Sequence, residues 1–312
     1  MMYIFPLKYV IIGKTYYLGG YTYEICEKNT FYVVTVIVAF MPMTNVSAAT
    51  KINTTNKVIY VGSSYTLKVT GTKKTVKWSS NNKAVATVTS KGKVTAKSEG
   101  IATIKAKVGK KTYKCKVTAK YKFNRAEAIK NISYTTSKTS KGVVAIFKNN
   151  NPFDIRLESK AVFFDSNGSM LSTSSDDNYC LEKNGGECAM YFYGPTDSNY
   201  NYVDFNNFKL NLSVDKSSNI SYASKIKTSS NIGSNNVTAE ITNNSNKKLE
   251  SIHLSIVYYD ASNKIIGHEY TYANAKNAGD VDYISFDFPY DSNYDDIIPS
   301  SYKIYVDYAY TW

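Results

Sequence analysis

Residues 60–120 read YVGSSYTLKVTGTKKTVKWSSNNKAVATVTSKGKVTAKSEGIATIKAKVGKKTYKCKVTAK. Apolar residues recur at every second position in Tyr65-Leu67-Val69, Val76-Trp78, Ala102-Ile104-Ala106-Val108 and Tyr113-Cys115-Val117. A period of two marks half-buried strands. Gly62-Ser63-Ser64, Ser79-Ser80-Asn81-Asn82, Ser90-Lys91-Gly92 and Val108-Gly109-Lys110 supply turns between them. Several short strands in so little chain predict a small β-sandwich, because one sheet alone cannot cover its apolar face.

Four segments within this stretch carry a resemblance. They are Trp78-Ser79-Ser80-Asn81, Ala84-Val85-Ala86-Thr87-Val88, Gly92-Lys93-Val94-Thr95-Ala96 and Gly100-Ile101-Ala102-Thr103-Ile104. With them, residues 51–120 resemble a bacterial immunoglobulin-like group 2 domain. The resemblance implies a stalk or adhesion module like those of bacterial surface proteins, adhesins and wall-associated proteins, and not catalysis.

Charge divides the chain. Residues 51–120 hold 17 Lys, no Arg and one acid, Glu99, whereas residues 121–312 hold 18 basic and 22 acidic residues. The whole chain of 312 residues carries +13. Such an excess attracts polyanions at low salt. Lys105, Lys107, Lys114 and Lys116 alternate with apolar residues and are expected to point outward. One reading is a solvated face whose lysines discourage edge pairing. The other is a patch for an anionic wall polymer such as teichoic acid, an anionic polysaccharide or nucleic acid. Nucleic acid is the weakest of these partners, since the segment has no Arg for bidentate base reading and only three Tyr. Trp78, in register with Val76, and Cys115, on the inward phase, are expected in the core.

Residues 121–312 contain an internal repeat. Asn131-Ile132-Ser133-Tyr134 recurs as Asn219-Ile220-Ser221-Tyr222, and the 25 residues from Val144 recur from Ala239 at a constant shift of 95. Pro195-Thr196-Asp197-Ser198-Asn199-Tyr200 recurs as Pro289-Tyr290-Asp291-Ser292-Asn293-Tyr294 at a shift of 94. Leu157, Ala161 and Phe163 match Ile252, Ile256 and Tyr258 as inward positions, and Asp165 and Asp260 open strand-ending turns. The pattern is similar to small secreted FxLYD-type immunoglobulin-like modules, with FFD and YYD in place of LYD. That resemblance implies a β-sandwich and little about activity. The expected fold is all-β, three consecutive immunoglobulin-like β-sandwiches after a cleaved signal peptide. The expected divisions are 1–49 leader, 50–120 first domain, 131–214 and 219–312 repeats, with connections at 121–141 and 215–236. Arg125 to Ile129 is read as one helical turn.

The leader reading rests on Phe31–Phe40, an uncharged apolar run with Lys28 before it and Val46-Ser47-Ala48-Ala49 after it. Cleavage is expected after Ala48 or Ala49. A membrane anchor is the alternative, but a spanning helix needs about 20 apolar residues. The mature chain is expected to be secreted and possessed of no membrane span, extracellular or held to a cell wall, with oligomeric state open.

Residues 121–312 hold 19 Tyr. Those near loops, Tyr200, Tyr202, Tyr290 and Tyr294 with Tyr191 and Tyr193, suit a glycan or protein site, because Tyr offers rigid amphipathic contact area. Tyr is also simply a favoured strand residue. Asp291, Asn293, Asp295 and Asp296, with Asp197, Asn199 and Asp204 in the matching loop, are oxygen donors of the kind calcium takes, but no Gly marks an EF-hand turn and no Glu closes it. No metal site is therefore assigned. Cys180 and Cys188 flank a seven-residue hairpin-like segment and could form a disulfide, with no counterpart in the second repeat. No catalytic residue is assigned: the two His lie in the last repeat, and no GxSxG, HExxH, CxxC or Gly-rich phosphate loop occurs. No cofactor is implied. A paired-carboxylate glycosidase stays open in principle. The expected function is a non-enzymatic binding or adhesion protein. Its basic domain would contact anionic surface polymer and its tandem pair would present loops to a partner. A carbohydrate-binding accessory module and a passive spacer are the alternatives.

Overall fold

The computed structural model describes residues 21–27, 30–36, 49–290 and 295–311. The alternation read from residues 60–120 becomes a sandwich. Strands β1 (Asn56–Tyr60), β2 (Val76–Ser80), β3 (Gly100–Val108) and β4 (Lys111–Lys120) form one sheet in the order β1-β4-β3-β2, with β1 parallel to β4 and the other pairs antiparallel. Strands Ser64–Thr66, Ala86–Val88 and Lys93–Ala96 form the facing sheet. Between them lie Leu67, Val94, Ala102, Ile104, Cys115 and Val117, all buried, with Tyr65 and Trp78 packed against that core. Trp78 and Cys115 thus point inward. Gly92 has φ +80, and a Cβ there would sit 2.4 Å from the Leu67 carbonyl oxygen and 3.0 Å from the Trp78 ring, so only glycine fits this turn.

Helix α1 (Arg125–Lys130) follows, capped by the Asn124 side chain, which accepts the Glu127 N–H. The first repeat is built from β5 (Ile132–Thr139), β6 (Gly142–Asn149), β7 (Ile155–Phe164), β8 (Met170–Leu181), β9 (Gly186–Tyr193) and β10 (Asn207–Lys216). Its sheets run β5-β6-β9 and β8-β7-β10. The second repeat adds β11 (Ile220–Ser221), β12 (Ile226–Ile232), β13 (Asn236–Asn243), β14 (Ser251–Tyr259), β15 (Ile265–Tyr272), β16 (Val281–Asp287) and β17 (Ser301–Thr311). Its sheets run β12-β13-β16 and β11-β17-β14-β15. Strand for strand, β5–β10 and β12–β17 have the same connectivity.

Leu157, Ala161 and Phe163 fill one core, and Ile252, Ile256 and Tyr258 the other. Gly168 and Asn263 both take positive φ in the turns opened by Asp165 and Asp260. Each of these carboxylates accepts N–H groups two and four residues ahead. Two details of the repeat alignment change. The shift of 95 holds for β7 and β14 but not for β6 and β13. There the buried Val143, Ala145, Phe147 and Asn149 match Val237, Ala239, Ile241 and Asn243, a shift of 94. A one-residue slip exchanges the two faces of a strand, so burial decides the register. The Asn-Ile-Ser-Tyr likeness is not structural: Ile132 opens β5 and is buried, whereas Ile220 is exposed in β11, and the counterpart of Ile132 is Ile226. The segments 121–141 and 215–236, read as connections, supply the first strand of each repeat. Strands β5 and β12 are polar because they lie at sheet edges with an exposed outer face.

Of the leader segment, Thr30–Val36 pairs antiparallel with Tyr21–Glu27. The rest of the apolar run and Ala48 lie outside the described residues. Among the described residues no helix is long and apolar enough to cross a membrane.

Candidate functional site

The first surface is the outer face of the sheet β1-β4-β3-β2. Lys105, Lys107, Lys114 and Lys116 are all exposed there. Strand pairing sets Lys105 opposite Lys114 and Lys107 opposite Lys77, which is also exposed. Lys77 was not legible as part of this patch, because only the pairing of β2 with β3 brings it alongside. Val58, Ile101 and Tyr60 share the face and are about half exposed. Like charges directly opposite on a sheet repel. Glu99 is engaged elsewhere, binding Lys216 of the first repeat at 2.9 Å. Among the described residues none of these five lysines forms an ion pair. A face built this way holds a positive potential that nothing in its own domain neutralises.

The second surface is the seam between the repeats. The outer face of β6 and β9 packs on the outer face of β14, β15 and β17. Val144 and Ala189 meet Val257, Ile265 and Tyr305, all buried, with Ile146, Tyr191 and Tyr259 against them. The two sandwiches are therefore stacked sheet on sheet. Beneath the seam sits Asp307, which is 3% exposed. Its carboxylate accepts the Ala189 N–H at 2.8 Å and the Ser255 hydroxyl at 2.9 Å, and lies 3.0 Å from His253 Nδ1. Its carbonyl accepts from Asn178 Nδ2. Burial raises the Asp307 carboxyl above the ordinary range, and burial likewise raises Asp176, whose Oδ2 accepts the Tyr191 N–H. At the edges of the seam, Lys303 binds Glu187 at 2.8 Å and Glu182 accepts from the Ser224 N–H and hydroxyl.

Aromatic rings line this seam. His253 stacks between Tyr270 and Tyr308 at 5.3 and 4.9 Å, with Tyr272 edge-on at 4.8 Å. Tyr179 of the first repeat meets Tyr308 at 5.7 Å. Tyr191 stacks on His268 at 5.7 Å and meets Tyr193 edge-on at 4.9 Å. Burial lowers His268 to about 4.

The loop tyrosines separate. Tyr200 stands at a loop tip, 86% exposed with φ +65. Tyr202 and Tyr290, from different repeats, come close to Tyr193: burial raises the Tyr202 hydroxyl, and the neighbouring Tyr193 and Tyr290 add to that effect. Lys141 Nζ lies 3.4 Å from the centre of the Tyr290 ring. Tyr294, with Asp291 and Asn293, lies outside the described residues. In the matching loop, Asp197 accepts the N–H groups of Asn199 and Asn201, and Asp204 pairs with Lys138.

The Cys180–Cys188 bridge is not formed: both thiols are free and buried. The segment between them is not a hairpin either, since β8 pairs with β7 and β9 pairs with β6. Leu181 and Cys188 belong to the repeat core, Cys188 opposite Phe147, whereas Cys180 is buried outside that cluster. Burial raises Cys180 to about 12 and raises Cys188 well above its usual range.

Residues 48–119 match the family model of the bacterial Ig-like domain (group 2), so the first domain is of that class. Comparison with curated proteins finds no match. Among solved structures, the chain is similar to domains 5-6 of the S-layer protein SbsC, at 16% identity over 72% of this chain and 95% of that one, with a TM-score of 0.21. It is similar to domains 4-9 of the surface layer protein SbsC at 15% identity over 80% of this chain and 34% of that one, with a TM-score of 0.22. Native alpha-2-macroglobulin from Escherichia coli, spanning domains MG0-NIE-MG1, matches at 7% identity over 65% and 74%, with a TM-score of 0.17. Superpositions this loose carry no argument about arrangement or activity.

Proposed function

We propose that the chain is a secreted or cell-wall-associated, non-enzymatic binding protein whose first domain contacts an anionic surface polymer. The leader reading of residues 1–49 belongs to this proposal. The observation that carries it is the exposed sheet face with Lys77, Lys105, Lys107, Lys114 and Lys116 and no acid. Lysine is a mobile point charge, suited to holding a polymer by its charge density rather than by a shaped pocket. The tandem repeats, stacked sheet on sheet, present loops to a partner.

Co-sedimentation with purified bacterial cell walls tests the reading. The intact chain is compared with a variant carrying Lys105→Glu, Lys107→Glu, Lys114→Glu and Lys116→Glu at ~50 and ~500 mM salt, which brackets the strong change in screening. Retention at low salt that is lost in the variant and at high salt supports the proposal. Equal retention of both proteins under both conditions refutes the electrostatic role.

A further inference from the structure

The seam between the repeats carries a run of tyrosines that no charge argument explains. Tyr179, Tyr193, Tyr202, Tyr270, Tyr272 and Tyr290 are each between 40% and 59% exposed. They come from both repeats and from five separate segments of chain, so no local propensity for strand accounts for their meeting. Contacts connect them: Tyr179 to Tyr308, Tyr308 to His253, and His253 to both Tyr270 and Tyr272. At the other end, Tyr193 lies near Tyr270, Tyr202 and Tyr290.

The rings are held in place before any ligand arrives. His253, the centre of the stack, is fixed through Nδ1 to the buried Asp307, and Asp307 in turn grips the Ala189 N–H of the other repeat. The platform therefore spans two domains that cannot slide without breaking buried hydrogen bonds. A preordered site loses little entropy on binding, and Tyr has only two side-chain angles to fix.

Between Tyr179 and Tyr272 the charged groups of the seam are engaged, while Lys141 lies over the Tyr290 ring at the other end. Asp176 and Asp307 lie beneath the seam, engaged with backbone N–H groups. Arg156, over the Tyr179 ring, is balanced by Glu158 and Asp177. The seam is thus electrostatically unlike the lysine face and fits an uncharged ligand. A protein hot spot calls for a desolvated pocket fenced from water. Here the rings instead form a shallow row in which Tyr193, Tyr202, Tyr270 and Tyr272 offer exposed ring surface and a hydroxyl, while Arg156 lies over Tyr179 and Lys141 over Tyr290. A pyranose offers the complement, an apolar face of C–H bonds rimmed by hydroxyls, and a polymer of pyranoses repeats it.

We propose that this tyrosine row is a binding site for a neutral linear glycan, seated along the seam of the tandem repeats and separate from the lysine face.

The test is retention of the intact chain on insoluble chitin, on cellulose and on peptidoglycan with and without protease treatment, all at ~500 mM salt so that the lysine face is screened. Tyr193→Ala/Tyr270→Ala/Tyr272→Ala is compared with the same three positions changed to Phe. Retention on at least one of these polymers is expected, about tenfold weaker or more in the Ala variant. The Phe variant is expected to keep most of it, since the ring faces remain. Unchanged thermal melting confirms that these exposed rings are not needed for folding, and Tyr202→Ala/Tyr290→Ala repeats the test at the other end of the row. Three results would overturn the proposal: no salt-resistant retention on any polymer, equal retention of wild type and Ala variants, or retention only on wall material that has not been protease-treated. The last would identify a protein partner.

Discussion

Asp307, on the last strand of the second repeat, accepts the backbone N–H of Ala189 in the first repeat across a buried seam. One carboxylate thereby ties together two sandwiches that the sequence alone presents as separate units. Removing it leaves the Ala189 N–H and the Ser255 hydroxyl without their acceptor in a buried place. Such orphaned groups cost roughly 1–3 kcal/mol each. Asp307→Ala is therefore expected to lower stability by about 3 kcal/mol and to split one cooperative melting transition of the repeats into two. Calorimetry reads both; a single transition at the wild-type temperature would show that the clasp is idle.

Asn149 and Asn243 occupy the same position in the two repeats, both fully buried at the ends of β6 and β13. Asn149 Nδ2 donates to the Phe153 and Leu181 carbonyls, and Asn243 Nδ2 to those of Lys247 and Lys276. Their Oδ1 atoms accept the N–H two residues on. Each side chain pins the loop that carries the chain to the opposite sheet. Alanine at either position is expected to cost roughly 2–3 kcal/mol in denaturant unfolding. Asn150→Ala, at an exposed neighbour, is expected to change stability by less than about 0.5 kcal/mol.

These two features mark where the sequence was legible and where it was not. Alternation revealed the inward face of β7 because Arg156, Glu158 and Lys160 make its other face polar, as Leu157-Ala161-Phe163 shows. Strands β6 and β14 also carry apolar residues on their outer faces, Val144 and Ile146 against Val257 and Tyr259, because these faces meet at the seam. A strand covered on both sides reads as a continuous apolar run, and its second face has no periodic signature. The lysine face was legible because period two places Lys105, Lys107, Lys114 and Lys116 on one side. The tyrosine row was not, since its rings come together only by cross-strand pairing and by the stacking of one repeat on another.

The facing lysines set stability against binding. Lys105 and Lys114 stand directly opposite on β3 and β4. Converting one to the opposite sign turns a repulsion into an attraction, worth roughly 0.2–1 kcal/mol. Lys114→Glu is expected to raise the melting temperature of the first domain at low salt, with the gain shrinking as salt rises. The same change is expected to weaken wall retention. A variant that gains stability and keeps full retention would separate the lysine face from polymer binding.

The three cysteines of residues 49–312, Cys115, Cys180 and Cys188, are buried thiols. Burial disfavours the thiolate, which is the reactive form. In the native chain all three are expected to resist alkylation over the time in which an unfolded control reacts fully. Mass mapping after mild oxidation is expected to find no Cys180–Cys188 peptide link. Finding that link in folded protein would refute the free-thiol arrangement.

His268 gives the seam a dependence on acid. It stacks on Tyr191 against the other repeat, and its buried Nε2 has no hydrogen-bond partner among the described residues. Burial holds its folded value near 4, below the ordinary 6.5. Between these two values the unfolded chain binds a proton that the folded chain does not, so stability increases with pH across that window. The contribution is fully present above about 6.5 and is lost as pH falls towards 4, amounting to at most roughly 3 kcal/mol. Asp176 and Asp307 act in the opposite direction: their raised values favour the folded state in acid, and that help fades as pH rises through them. The net slope is therefore shallower than His268 alone would produce. His268→Phe keeps a ring against Tyr191 and removes the titration. Melting temperatures at pH 7 and pH 4.5 are expected to differ less in this variant than in the wild type. An unchanged difference would mean that His268 takes up its proton alike in the folded and unfolded chain, so that burial does not hold its folded value down.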